Sequence, residues 1–72
     1  MQLVYLLIRK GKFLNQLFVD DVVDMFQLRA VHHTYDVGEL YFYTEKHIAH
    51  DVAKTLDARV IPAHKIGTRI IL

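Results

Sequence analysis

The chain has no cysteine, no tryptophan and no serine, and only one proline and three glycines among its 72 residues. Each absence removes a class of function. Without cysteine there is no disulfide, no thiolate nucleophile and no zinc knuckle. Without serine the commonest hydroxyl nucleophile is gone. The glycines stand alone at 11, 38 and 67, so no glycine-rich loop can cradle a phosphate. Long apolar runs are missing too: the longest, Leu3 to Ile8, has six residues, against about 20 for a membrane-spanning helix. Arg9, Lys10 and Lys12 follow that run rather than precede it, which is not the order of a secretory signal. The expectation is a cytoplasmic protein with no membrane contact and no cofactor.

What is present points to one small folded domain over residues 1–72. Hydrophobic residues make up 53% and charged residues 24%, too apolar a balance for a disordered tail. A chain of this size buries only about 60% of the surface its unfolded form exposes. That leaves little room for a catalytic pocket of several hundred cubic ångströms, and no enzyme is expected.

Residues 2 to 9 are β-branched, leucine and aromatic, and too short for a helix core, so they read as a strand. Leu3, Tyr5 and Leu7 alternate with Val4, Leu6 and Ile8, and both sets are apolar. A strand buried on both faces belongs in the middle of a sheet. From Leu14 to Leu28 the apolar residues recur at helical spacing (Leu14, Leu17, Phe18, Val22, Met25, Phe26), with Asp20, Asp21 and Asp24 on the opposite arc. Asn15 or Asp20 could cap that helix, and the acids would suit a first turn near Phe18.

Ala30 to Tyr35 and Glu39 to Tyr43 read as a hairpin around Asp36-Val37-Gly38, the glycine free to take positive φ. Thr44 can cap a second helix from Glu45 to about Asp57. Its Ile48, Val52 and Leu56 would face the core, with Ala49 and Ala53 permitting close approach. Arg59 to Pro62 is a short extended piece that proline ends, and Ile66 to Leu72 a last strand.

Strand, helix, strand, strand, helix, strand, with right-handed crossovers, gives an α+β fold: the ferredoxin-like βαββαβ sandwich. Its four-stranded antiparallel sheet carries both helices on one face and leaves the other open. The residues of Leu56-Asp57-Ala58-Arg59-Val60-Ile61-Pro62-Ala63-His64-Lys65-Ile66 resemble the end of an RNA-recognition-motif domain. There a leucine, an Asn-Gly turn, an isoleucine, a glycine and a second isoleucine lead into the last strand. Val22-Val23-Asp24-Met25-Phe26 resembles the first-helix pattern of that family, and Val4-Tyr5-Leu6 its aromatic-bearing first strand. The resemblance spans nearly the whole chain and implies a sheet face that binds RNA or protein.

The departures are in the third-strand octamer, whose exposed rings stack on bases in RNA-binding members. Its counterpart, Val37-Gly38-Glu39-Leu40-Tyr41-Phe42-Tyr43-Thr44, has Glu39 where a stacking ring is wanted. The favoured register points Glu39, Tyr41 and Tyr43 outward and Leu40 and Phe42 inward. Metal-carrier domains of the same fold need a Cys-x-x-Cys that is missing.

The open face would then carry Leu3, Tyr5 and Leu7 beside Tyr41 and Tyr43; the same residues could instead complete a small core under the carboxy-terminal segment. All eight acids lie between Asp20 and Asp57, leaving Arg9, Lys10 and Lys12 at one terminus and Arg59, Lys65 and Arg69 at the other. Antiparallel first and last strands would bring Arg9, Lys10 and Lys12 near His64 and Lys65 as a basic corner. His47, His50 and Asp51 sit at helical spacing, but two histidines without a clear third ligand do not make a metal site.

Two functions follow. One is a non-enzymatic module that docks on a larger protein assembly, such as gene-expression machinery, and modulates it. The other is a single-stranded RNA binder using Tyr5, Tyr41 and Tyr43 for stacking and Arg9, Lys10, Lys12, Lys65 and Arg69 for phosphates. Glu39 and the net charge of +1 favour the first. Self-association through the open face is a third use of the same surface.

Overall fold

The structure is a computed structural model that describes residues 1–17 and 21–72. β1 (Gln2–Arg9) is the centre of the molecule, as its two-sided apolar pattern requires. β6 (Arg59–Ile66) lies along one edge of it, from Gln2 opposite Lys65 to Ile8 opposite Arg59. Two strands share its other edge. β2 (Lys12–Leu14) pairs at the end of β1, and β5 (Phe42–Tyr43) in its middle, with Tyr5 opposite Tyr43. β3 (Phe26–Arg29) lies outside β2; β7 (Arg69–Ile71) and then β4 (Thr34–Asp36) continue beyond β6. Every pairing is antiparallel.

This is a curled half-barrel of seven strands among the described residues, not the four-stranded ferredoxin-like sandwich expected from the sequence. Part of the expected topology survives. β5 and β6 flank β1 and are both antiparallel to it, so they are parallel to each other, and α2 (Lys46–Leu56) joins them as a split β-α-β unit.

The first half departs because of a turn. Lys10 and Gly11 both have positive φ, +52° and +76°, the geometry of a type I′ hairpin, which sends the chain straight back along β1. Lys12–Leu14 therefore forms strand, not the start of a helix. The expected helix over 14–28 reduces to the single turn α1 (Val22–Met25). Asp21 caps it, its carboxylate accepting from the Val23 N–H at 2.9 Å. The expected participation of Phe18 and Asp20 lies outside the described residues.

The expected hairpin over 30–43 also divides. Asp36–Glu39 is a turn, closed by Glu39 N–H to the Asp36 carbonyl at 2.9 Å, but its arms find different partners: β4 pairs with β7, and β5 with β1. Gly38 has no positive φ. Pro62 does not end its strand either. It sits where β6 has a neighbour on one side only, a position that tolerates a missing N–H. A two-residue turn with Gly67 at φ +59° then reverses the chain into β7.

The curl makes two cores. On its inside, Val4, Leu6 and Ile8 of β1 meet Phe13, Tyr35, Leu40, Ala63 and Ile70. Tyr35 on β4 and Phe13 on β2 are separated by three strands in the sheet order, yet their rings meet edge to face at 5.5 Å. The Tyr35 hydroxyl donates to the Arg29 carbonyl at 3.0 Å and accepts from the His32 N–H at 2.9 Å, pinning the last strand to the end of β3.

On the outside, Leu7 packs with Leu14, Met25, Phe26, Ala49 and Ala53. Both helices lie on this side, α2 resting on its two alanines with Val52 and Leu56 half-buried and Ile48 turned outward. Glu45, not Thr44, is the N-cap, and Asp57 ends the helix in the left-handed region. No helix among the described residues is long and apolar enough to cross a membrane.

Candidate functional site

The odd-numbered residues of β1 share its outer face, and they change character along the strand: Leu3, Tyr5, Leu7, then Arg9. The expected bare sheet surface does not exist, because the face opposite the helices is the inside of the curl. Leu3, Tyr5 and Leu7 lie on the helix-bearing side instead. Leu7 is fully buried beneath the helices and can touch no partner, whereas Leu3 is 48% exposed. Tyr5 and Tyr43 are half-buried against the outer core. Tyr41 is more exposed, its ring 5.2 Å from that of Tyr43. Leu40 and Phe42 turn inward as the favoured register requires.

Two of the three rings are therefore half-buried against the outer core and are not displayed together on an open face. The Tyr43 hydroxyl is shielded and bonds to no protein group among the described residues. Its pKa is raised above the ordinary tyrosine value, first by burial and then by the neighbouring Tyr41.

Between α2 and the β1–β6 pair runs an open groove of about 380 Å³, lined by Leu3, Tyr5, Val60 and Pro62, with Lys46 and His50 on its helix side. The register builds it: Tyr5 faces Pro62 and Leu7 faces Val60, so apolar side chains from two strands lie side by side. Lys46 and His50 come from successive turns of α2. Every charged or titrating side chain apart from tyrosine along the groove is a cation or a histidine.

The basic residues form a different corner from the expected one. Arg9 pairs in register with Lys12, and Lys12 with Arg29, so three cations stand in one row across β1, β2 and β3 on the outer face. Lys10 occupies the turn beside them. The ion pairs among the described residues, Arg69–Asp36 at 3.2 Å and His47–Glu45 at 3.5 Å, include none of the four. The Arg9 Nε is shielded and also unbonded.

Lys65 lies at the far end of the sheet, opposite Gln2, and Arg69 is held there by Asp36. The expected meeting of Arg9, Lys10 and Lys12 with His64 and Lys65 is therefore corrected. β6, not the terminal strand, is the neighbour of β1, and it brings Arg59 to that end. Arg29 was missed because it fell between a helix read to end at Leu28 and a strand read to begin at Ala30. The strand-like run Phe26-Gln27-Leu28-Arg29 was the signal that could have found it, although a bulge opposite Phe13 and Leu14 puts Phe26 and Leu28 on opposite faces. No three metal-ligating side chains come together among the described residues.

No protein-family model matches this chain, and comparison with curated proteins and with solved structures gave no match either.

Proposed function

We propose that this chain is a non-enzymatic binding module that docks on a protein of a larger assembly and modulates it. The groove between α2 and the β1–β6 pair carries this reading. Leu3, 48% exposed at its mouth, and Pro62 offer apolar surface that the fold itself does not cover. Lys46 and His50 on its rim select a partner segment that presents a carboxylate beside an apolar side chain. The half-buried Tyr5 and Val60 form its floor, held rigid by the strand pairing beneath them.

A photo-crosslinking amino acid at Leu3, with one at Val31 as control, tests the reading. Val31 is exposed at the end of the sheet that carries the cationic row. Crosslinking in cells from position 3 should yield a discrete heterologous protein, lost in the Pro62→Asp variant and absent from the control. Products that are identical from both positions, a crosslink only to a second copy of the chain, or none at all would refute docking through this groove.

A further inference from the structure

We infer that the cationic row Arg9–Lys12–Arg29, with Lys10 at its turn, is a binding site for the phosphodiester backbone of nucleic acid. Like charges placed directly opposite one another on neighbouring strands destabilise a sheet, and this sheet holds two such contacts in succession, Arg9 against Lys12 and Lys12 against Arg29. No acid among the described residues comes within ion-pairing distance of any of them. The core does not need them: their register neighbours Ile8, Phe13 and Leu28 face the inside of the curl, while the row faces out. The arrangement makes physical sense when an anion lies across it.

Three features favour a phosphodiester chain over an acidic protein surface. The row is a line. Adjacent strands lie about 4.8 Å apart, so the row spans about 10 Å, long enough to follow successive phosphates of one strand. Its members are two arginines and a lysine, with a second lysine at the turn. Lysine, of which the site has two, is a backbone-contacting residue in nucleic-acid complexes and is depleted from protein–protein interfaces. Beside the row, Lys10, Gly11, Lys12, Arg29 and Val31 frame an open depression of about 270 Å³ that holds no carboxylate. Gly11, at φ +76°, has nothing within 4 Å of where a side chain would begin, so a ligand can approach the backbone of the turn closely.

The site rests on charge and register, not on the apolar groove, and its test is separate. Anisotropy of a fluorescein-labelled oligothymidylate is titrated with the chain from low to physiological salt. Three or four phosphate contacts predict a slope of log K against log salt of about −2 to −3 for a single strand. The double variant Lys12→Gln/Arg29→Gln, shown to be folded by its thermal melt, should bind about tenfold or more weakly, with the slope flattened by about 1.4. Lys10→Gln, at the tip of the turn where folding is least at stake, should flatten it by about 0.7. Lys65→Gln, at the opposite end of the sheet, should change nothing. The inference is overturned by no binding at low salt, by an equal loss in Lys65→Gln, or by undiminished binding in Lys10→Gln and the double variant. It is equally overturned if poly-L-glutamate of matched length binds as tightly as the oligonucleotide, which would make the row a site for acidic protein.

Discussion

Lys12 is the middle of three like charges, so reversing it should stabilise the fold. Its partners in register are Arg9 on one side and Arg29 on the other. With the charged ends about 7 Å apart in water, each repulsion is about 0.6 kcal/mol. A Debye length of about 10 Å at moderate salt reduces that to about 0.3 kcal/mol. Lys12→Gln removes both repulsions and should gain about 0.6 kcal/mol, within the range for cross-strand pairs. Lys12→Glu turns both into attractions and should gain about 1.2 kcal/mol. For a domain of this size, that corresponds to a rise in melting temperature of about 5–10 °C. The assay is thermal unfolding followed by circular dichroism, repeated at about 1 M salt, where the Debye length falls to about 3 Å and the gain should vanish. A destabilised Lys12→Glu, or a gain that survives high salt, would show that the three cations do not repel one another as their register implies. Because the same substitution should abolish oligonucleotide binding, stability and binding are expected to move in opposite directions.

Other expectations follow from single positions. Leu7→Ala opens a cavity at a fully buried site under both helices and should cost about 2–5 kcal/mol, comparable to the entire stability expected of so small a domain; an intact thermal transition close to the parent's would contradict the packing described. Tyr43→Phe removes a shielded hydroxyl that bonds to no described protein group, so equilibrium denaturation at neutral pH should show no loss of stability. The raised Tyr43 pKa favours the protonated fold: its contribution is complete below the unfolded tyrosine pKa and is lost as pH rises through the higher folded value. The parent should therefore weaken at alkaline pH more than Tyr43→Phe does, and parallel alkaline denaturation curves would refute the assignment. Asp57→Gly places glycine at φ +54° at the end of α2 and should stabilise by about 1 kcal/mol, read from the denaturation midpoint.

Sequence pattern alone identified the elements whose environment is set locally or by simple alternation. The two apolar sets of residues 3–8 placed that strand at the centre, where β6 on one edge and β2 and β5 on the other now enclose it. The second helix declared itself through the four-residue spacing of Ile48, Val52 and Leu56, although it rests on Ala49 and Ala53 and turns Ile48 outward, and the alternation from Glu39 to Tyr43 gave the inward Leu40 and Phe42. The segment 12–29 was misread because two three- to four-residue strands around one helical turn space their apolar residues much as a continuous helix does. Glycine 11 was visible, but its consequence was not: a type I′ turn commits Lys12–Leu14 to β1 whatever its helical periodicity.

The candidate sites divide in the same way. Leu3 and the run Arg9, Lys10, Lys12 were visible as an apolar strand ending in a cluster of cations, since each belongs to one short stretch of chain. Which face Leu7 occupied, that Lys65 and Arg69 lie at the other end, and that Arg29 completes the row were decided only by tertiary structure. Composition and alternation fix how much apolar surface each strand must hide. They do not say what hides it, and here the sheet hides its inner face by curling until Tyr35 reaches Phe13, leaving the helices to cover the other. That choice depends on strand pairings between residues far apart in the chain, whose free energy no local window contains.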